Sequence, residues 1–268
     1  MEKLQAALEK ARKTRQDGSH PVERSNLGAP KQSRSKNVEG IWLDLKPFEV
    51  ERRQLESRRL VTQVANAKAT PFDILRTKVL LQMRQNGWKR LAITSPMPNS
   101  GKTTVACNLA LGFGRQDDLR SLVLDLDLRD PSVAEFLNYE PERGIGDVLT
   151  GKVDFTDQAV RLGPNVAFSM AKAPDLDPTR VLLAEDTADV IDQIEAKYKP
   201  DVMIFDLPSM LQNDDTRAFL KNVDCALIIV RANKTKYSHF DSSEREIAEH
   251  TNVLGVVLNG YSTTKARD

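Results

Sequence analysis

The sequence predicts a doubly wound α/β domain with a mostly parallel sheet. From residue 70 onward, apolar runs alternate with amphipathic helical patterns, the order that builds a parallel sheet covered by helices on both faces. The runs Leu122–Leu124 and Ala226–Val230 are apolar at every position, as strands buried on both sides require. Residues 94–104 join an apolar run to a helical pattern, and ligands of such folds bind at the carboxyl ends of the strands.

The predicted elements follow one another in a regular order. A helix begins at Pro71, and Asn86-Gly87 ends it, because proline suits the first turn of a helix and glycine its end. Strands are then expected at 90–95, 121–126, 166–171, 202–206, 224–230 and 253–258. Helical patterns lie at 103–115, 131–137, 183–198, 214–221 and 240–250.

The residues before position 70 have a different composition. Leu4, Leu8 and their neighbours recur at helical spacing among basic residues, which predicts a short amphipathic helix. Residues 15–40 are polar and have the composition of a flexible linker. In residues 41–69, the apolar side chains are expected to dock on the domain; they are Ile41, Trp42, Leu43 and Phe48. We therefore divide the chain into 1–69 (helix, linker and docking segment), 70–262 (α/β domain) and 263–268 (short tail).

Composition restricts the location and partners of the chain. The formal net charge is +1, but residues 1–69 carry 15 Lys and Arg against 9 Asp and Glu. A basic arm suits contact with an anionic membrane surface or an acidic partner, and a solvated arm fits equally well. Cys107 and Cys225 lie in apolar segments without metal-like spacing, as expected for buried residues in a reducing compartment. The longest apolar run, Cys225–Val230, is too short to span a bilayer. We expect a cytoplasmic protein, with peripheral contact at the inner face of the plasma membrane through the arm.

Residues 94–104 read Thr-Ser-Pro-Met-Pro-Asn-Ser-Gly-Lys-Thr-Thr and predict a phosphate-binding loop. A strand, a tight loop and a helix start direct backbone N–H groups and the positive end of a helix dipole at one anion. Lys102 would reach the β- and γ-phosphates of ATP or GTP, and Thr103 would ligate Mg²⁺. The usual pattern opens with glycine where this chain has Pro96. The nucleotide-binding residues are expected to be Pro98, Asn99, Ser100, Gly101, Lys102, Thr103 and Thr104.

Two further strands end in carboxylates. Asp125 and Asp127 follow the apolar run at 122–124, and alternation places them on the same side of the exiting strand. Such a pair repels unless a cation or a substrate hydroxyl lies between its members. A capped turn before the 131–137 helix would explain Asp130-Pro131 but not this pair. Asp206 ends the run at 202–205, where phosphate-loop proteins place the carboxylate that holds Mg²⁺.

Together these motifs resemble the bacterial tyrosine kinases of capsule and exopolysaccharide synthesis, the BY-kinase family of P-loop proteins. The resemblance covers roughly residues 70–262. It lies in the loop with Pro98, the acidic motif Val123–Pro131, the Walker B segment Ile204–Pro208, Leu75-Arg76-Thr77, Gly144–Leu149 and Gly255–Asn259.

The resemblance implies an ATP- and Mg²⁺-dependent tyrosine autokinase of exopolysaccharide or capsule biosynthesis and export. By the family's pattern, Asp125 is the base that takes the tyrosine proton, Asp127 and Asp206 position Mg²⁺ with Thr103, and Asn259 faces the adenine. Lys102 completes the catalytic set. The implied partners are a membrane-embedded polysaccharide chain-length regulator or exporter and, on ATP binding, other copies of the chain; no nucleic acid partner is expected.

Two departures from the family pattern bear on assembly and autophosphorylation. The oligomerisation helix of the family carries Glu, Arg and Arg where this chain has Thr70, Asp73 and Arg76. The family ends in a tyrosine cluster, whereas this tail has Tyr261 alone, which we expect to be packed at a strand end.

The sequence also bears on three functions other than a tyrosine kinase. A partition or Min-type ATPase would carry a second lysine where this chain has Met97. A dinucleotide-binding oxidoreductase lacks support because no Gly-x-Gly-x-x-Gly follows a strand. An ATP-switched regulatory module of the export machinery with little kinase activity stays open.

Overall fold

A computed structural model describes residues 36–261 of the chain. The amphipathic helix expected near the N-terminus, most of the linker and the tail at 263–268 lie outside the described residues. Within the described part, the doubly wound α/β fold is confirmed.

The strands are β1 (Lys46–Pro47), β2 (Arg90–Ser95), β3 (Ser121–Asp125), β4 (Val160–Leu162), β5 (Val166–Ser169), β6 (Val202–Ser209), β7 (Cys225–Arg231) and β8 (Asn252–Asn259). The helices are α1 (Lys36–Leu43), α2 (Arg52–Ser57), α3 (Thr70–Asn86), α4 (Lys102–Phe113), α5 (Val133–Phe136), α6 (Ile145–Leu149), α7 (Phe155–Gln158), α8 (Pro178–Leu183), α9 (Glu185–Tyr198), α10 (Asp215–Leu220) and α11 (Tyr237–His250). None of these helices is both long enough and apolar enough to cross a membrane.

The strands of the described residues form one sheet in the order β1-β4-β5-β3-β6-β2-β7-β8. Neighbouring strands run parallel, except that β4 is antiparallel to β5. In a parallel sheet the carboxyl ends share one edge, so the segments that follow β2, β3 and β6 meet there. This edge, called the carboxyl edge below, contains the phosphate-binding loop and all three predicted carboxylates.

Alternate residues of the central strands enter two separate cores. Leu122 and Leu124 of β3 pack with helices α1, α6 and α9 to α11, whereas Val123 packs on the opposite face with α2 to α5. Because both faces are covered, each strand is apolar at successive positions. The apolar runs therefore form strands of a parallel sheet, as predicted, and they are apolar because helices cover both faces of that sheet.

Residues 38–60 contribute to both cores. Trp42 and Leu45 are buried on one face, and Leu55 and Leu60 are buried on the other. The Trp42 indole donates to the Tyr198 carbonyl at 2.6 Å. The expected docking is confirmed for Trp42, whereas Leu43 is exposed.

Some boundaries differ from the expected ones. The helical pattern at 183–198 is preceded by α8, and the two helices meet at Ala184, which is extended (φ −60°, ψ 139°). Strands β1 and β4 were not predicted, because two or three residues are too few to show an alternating pattern. Helix α1 also begins inside the span predicted as a linker.

Candidate active site

The phosphate-binding loop connects β2 to α4 through two residues with positive φ. Asn99 has φ +59° and Gly101 has φ +94°. Helix α4 begins immediately afterwards at Lys102, so its first N–H groups, which lack intrahelical acceptors, face the loop. This is the backbone arrangement that the sequence predicted for an anion site.

A close approach to β8 fixes the conformation of the loop. The Asn259 side-chain amide donates to the Ser100 carbonyl at 2.8 Å. A Cβ at position 101 would lie 2.2 Å from that amide nitrogen. Glycine at 101 is therefore required twice, by its backbone conformation and by the space that Asn259 occupies.

The four predicted phosphate and metal residues converge on the carboxyl edge. The Thr103 hydroxyl donates to a carboxylate oxygen of Asp206 at 2.5 Å. The Lys102 ammonium lies 3.5 Å from a carboxylate oxygen of Asp127. Both pairs are largely buried. Salt therefore screens their electrostatic interactions less than it would at the surface. The geometry thus places one cation, one hydroxyl and two carboxylates around one point.

Asp125 and Asp206 occupy the interior beneath this point. They are direct neighbours in the parallel register of β3 and β6, and both side chains are fully buried. Burial raises the pKa of Asp125 well above its usual range, and the charge of Asp206 raises it further. Burial also raises the pKa of Asp206 to about 7, although Lys102 and the Thr103 hydrogen bond oppose this shift.

The chemistry of these donors fits a magnesium ion. One carboxylate oxygen of Asp125 and one of Asp206 are buried without a hydrogen-bond partner, which is costly for an anionic group. A cation beside Asp206 would remove that cost for Asp206, and carboxylate and hydroxyl oxygens are the ligands that Mg²⁺ prefers. Thr103, Asp127 and Asp206 would hold it.

The structure brings the other predicted loop residues to the same place in different roles. Ser100 is buried, and its hydroxyl donates to the Met97 carbonyl at 2.7 Å. The Thr104 carbonyl accepts from Asn108, and Pro98 lies half-buried in the loop. Asn259 uses its amide nitrogen on Ser100, while its amide oxygen accepts the N–H of Gly260.

Sequence reasoning missed two side chains that touch the site. The Ser132 hydroxyl lies 2.8 Å from that of Thr103; because Thr103 donates its single proton to Asp206, Ser132 is the donor. The Arg231 guanidinium donates to the Asn99 carbonyl at 2.7 Å. The signal for Ser132 was its place after Asp130-Pro131 at a helix start, whereas Arg231 carried no signal beyond ending an apolar strand.

Asp73 and Arg76 of α3 make contacts within the chain itself. Asp73 pairs with Arg115 at 2.7 Å and with Arg76 at 3.5 Å. Arg76 also donates to the Gly112 carbonyl at 2.7 Å. These charges therefore tie α3 to α4.

The expectation that Tyr261 is packed is wrong, because 59% of this residue is exposed. It lies two residues after Asn259, the last residue of the edge strand β8. Cys107 and Cys225 are both buried, as expected, and burial raises the pKa of the Cys225 thiol to about 12.

Comparison with curated proteins confirms the resemblance to bacterial tyrosine kinases. The chain is 25% identical over 208 residues to the tyrosine-protein kinase YwqD of Bacillus subtilis, covering 76% of this chain and 86% of that protein. It is 25% identical over 203 residues to the tyrosine-protein kinase etk of Escherichia coli, covering 75% of this chain but 27% of etk. The match to the putative tyrosine-protein kinase EpsB of Ralstonia nicotianae is similar, at 25% identity over 72% of this chain and 26% of that protein. The chain thus spans most of YwqD and about a quarter of the length of etk and EpsB. No family model matches the chain.

Solved structures confirm the fold. The chimeric protein CapA2B2 superimposes with a TM-score of 0.70 at 19% identity, covering 82% of this chain and 93% of that one. The kinase domain of Escherichia coli ETK gives 0.66 at 23% identity, covering 74% and 79%. The septum site-determining protein MinD of Pyrococcus horikoshii, complexed with Mg-ADP, gives 0.54 at 23% identity, covering 65% and 72%. The fold is therefore shared with solved kinase domains and with a solved nucleotide-binding protein.

Proposed function

We propose that the chain binds Mg-ATP and transfers the γ-phosphoryl group to the hydroxyl of a tyrosine. The observation that carries this proposal is the convergence of Lys102, Thr103, Asp127 and Asp206 beside the positive-φ loop. Its kinship with proteins named tyrosine-protein kinases supports tyrosine as the acceptor.

Each residue has a defined task in this proposal. Loop N–H groups and the N-terminus of α4 bind the phosphate oxygens, and the Lys102 ammonium leaves Asp127 for the β- and γ-phosphates. Thr103, Asp127 and Asp206 would hold Mg²⁺, and a bound Mg²⁺ would supply neutralisation of the phosphate charge. Positioning and charge neutralisation supply most of the rate enhancement, because phosphoryl transfer has a loose transition state.

Asp125 is the proposed acceptor of the tyrosine proton. One of its oxygens is fixed by the Val133 N–H at 3.1 Å, and the other has no partner. The free oxygen is therefore available as an acceptor, but the side chain is fully buried. Acting as a base requires a local shift of residues 126–127, which follow β3 directly, to expose this oxygen to the acceptor. Replacing Asp125 with asparagine should remove transfer and leave nucleotide affinity nearly unchanged.

The proposed context is the synthesis or export of an exopolysaccharide or capsule. In this context the chain works beside a membrane-embedded chain-length regulator or exporter, at the inner face of the plasma membrane, and associates with itself on ATP binding. Genes for glycosyltransferases and a chain-length regulator beside its own gene would support this, whereas a chromosome-segregation neighbourhood would favour a partition-type ATPase.

A second candidate function is an ATP-switched regulatory module with little transferase activity. One observation favours it: residues 260–268 contain a single tyrosine, Tyr261. Both functions need the same nucleotide site, and phosphoryl transfer separates them.

The deciding experiment incubates the purified chain with γ-labelled ATP, Mg²⁺ and a tyrosine-containing peptide. Label on tyrosine in the wild-type chain, its loss in Lys102→Met together with nucleotide binding, and its loss in Asp125→Asn without loss of binding support the kinase. Tight nucleotide binding without label on tyrosine favours the regulatory module. Absence of nucleotide binding by the wild-type chain contradicts both.

A further inference from the structure

The order of strands along the carboxyl edge indicates the side from which an acceptor approaches. The loop follows β2, and its contacts with Asn259 and Arg231 come from β8 and β7 on one side. The Lys102–Asp127 pair lies on the other side, toward β3. A phosphate transferred near this pair must meet its acceptor farther along the same edge, where β5 lies beside β3 in the sheet.

A groove opens at that position. It has a volume of about 470 Å³ and is formed by the segment after β3, helix α6, the segment after β5 and helix α8. The lining includes Leu128, Gly146, Asp147, Lys172, Leu176 and Arg180. Because Leu128 directly follows Asp127 in the chain, the groove adjoins the proposed transfer site.

The walls of the groove are fixed by hydrogen bonds. The Asp175 N–H donates to the Leu128 carbonyl at 2.7 Å, which joins the segment after β5 to the end of β3. Arg129 forms a bidentate pair with the buried Asp215, at 2.6 and 3.1 Å. The Thr179 hydroxyl at the start of α8 donates to the same carboxylate. The groove is therefore formed before any acceptor binds, which lowers the entropic cost of binding.

Its rim combines exposed cations with an exposed apolar side chain. Leu176 is 96% exposed. The Lys172 ammonium donates to the Glu142 carbonyl rather than to a carboxylate. Arg180 and Asp177 are 3.9 Å apart with exposed side chains, and an exposed pair of this kind contributes little. Both cations can therefore exchange their present contacts for an acidic ligand.

We propose that this groove binds the acceptor, as a polypeptide segment whose tyrosine is flanked by acidic residues. This inference rests on the proposed kinase function. The flanking carboxylates pair with Lys172 and Arg180, and the apolar part of the segment packs on Leu176. The tyrosine hydroxyl points along Leu128 toward Asp125, the proposed base, which lies beneath the Lys102–Asp127 pair. Complementary charge of this kind sets specificity more than affinity.

The test uses charge reversal on the rim. Lys172→Glu/Arg180→Glu changes the groove, and Lys78→Glu/Arg84→Glu on the outer face of α3 is a control with the same change of charge. The probes are two synthetic peptides with one tyrosine each, flanked by glutamates in one and by lysines in the other. Binding is measured by fluorescence polarisation with Mg²⁺ and a non-hydrolysable ATP analogue, so the readout does not need turnover.

The groove variant should raise the Kd for the glutamate peptide about tenfold. It should tighten binding of the lysine peptide and leave the affinity for the nucleotide analogue unchanged. A second variant, Leu176→Asp, should weaken the glutamate peptide without altering thermal unfolding, because its side chain makes few contacts.

Three results overturn the proposal: wild-type affinity in both groove variants, an equal loss in the control, or no binding of the glutamate peptide to the wild-type chain. Binding in the groove without any phosphoryl transfer would overturn the kinase function and leave the groove assignment standing. Phosphoryl transfer with an unchanged KM for the peptide in the groove variants would overturn the groove assignment and leave the kinase function standing.

Discussion

The contact between Gly101 and Asn259 gives a prediction whose size follows from the structure. In Gly101→Ala, an L residue takes φ +94°, which costs about 1–2 kcal/mol. The new Cβ would lie 2.2 Å from the Asn259 amide nitrogen. The amide must move away, and its hydrogen bond to Ser100 is lost, at about 1 kcal/mol. The total of about 2–3 kcal/mol corresponds to a rise of about 30- to 150-fold in the Kd for Mg-ATP.

A double-mutant cycle separates the two contributions. Asn259→Ala alone removes the hydrogen bond and should raise the Kd about fivefold. In the Gly101→Ala background the same substitution should have almost no effect, because the hydrogen bond is already lost. Isothermal titration calorimetry of the four proteins measures the cycle. Asn252→Ala is the matched control. Asn252, at the other end of β8, donates an equivalent hydrogen bond of 2.8 Å to the backbone carbonyl of Asp224.

An equal cost of Asn259→Ala in both backgrounds would refute this reasoning. It would mean that Asn259 acts on the nucleotide independently of the loop, as the family pattern implies for a residue that faces adenine. Inorganic tripolyphosphate separates these roles directly, because it contains no base. If Asn259 acts through the loop, Asn259→Ala weakens tripolyphosphate as much as ATP; if it acts on the base, only ATP binding is weakened.

Three further predictions concern the metal site, the tyrosines and the N-terminal segment. At pH 8, above the Asp206 pKa of about 7, Asp206→Asn removes a buried charge and should raise the thermal unfolding temperature without nucleotide by roughly 2–4 °C. It should also lower Mg-ATP affinity at least tenfold. Both are measured on the purified variant, and a lower unfolding temperature would contradict the argument. Autophosphorylation mapped by mass spectrometry should be confined to Tyr237 and Tyr261, which are 77% and 59% exposed, and it should be weak because neither tyrosine has an acidic residue next to it in the sequence. Label on buried tyrosines of the folded chain would contradict this prediction. Deleting residues 1–35 should preserve cooperative unfolding. Deleting residues 1–60 should lower the unfolding temperature by more than 10 °C, because each large core side chain removed costs about 1.5–3 kcal/mol. Equal unfolding temperatures of the two truncations would show that the segment after residue 35 contributes no stability.

The sequence predicted the parts of this fold that depend on local pattern. Strands such as β3 were evident because burial on both faces makes every position apolar. The Gly101-Lys102 loop was evident because a strand, a turn and a helix start occur in immediate succession. The convergence of Asp127 and Asp206 followed from parallel topology, since both residues come at the carboxyl ends of strands.

The contacts that sequence reasoning missed are those between distant segments. Asn259 reaches Ser100 across 159 positions of the chain, and Arg231 reaches Asn99 across 132. Neither pair leaves a periodic signal, because a single side-chain hydrogen bond to a backbone carbonyl places no requirement on neighbouring residues. For Trp42 the sequence predicted docking but not the contact that it makes. The indole donates to the backbone carbonyl of Tyr198, and a backbone acceptor is present at every residue.

The buried carboxylates indicate what nucleotide binding must exchange. Without ligand, the Thr103 hydroxyl satisfies one oxygen of Asp206, and Lys102 partly neutralises Asp127. Both contacts involve the groups that would bind magnesium and phosphate, so binding replaces them rather than adding to them. The unpartnered oxygen of Asp206 is a cost that a bound cation would remove, whereas the unpartnered oxygen of Asp125 is the proposed acceptor of the tyrosine proton. The net affinity for Mg-ATP therefore depends on the difference between these two terms, and replacing Asp206, a proposed metal ligand, should raise stability while it lowers affinity.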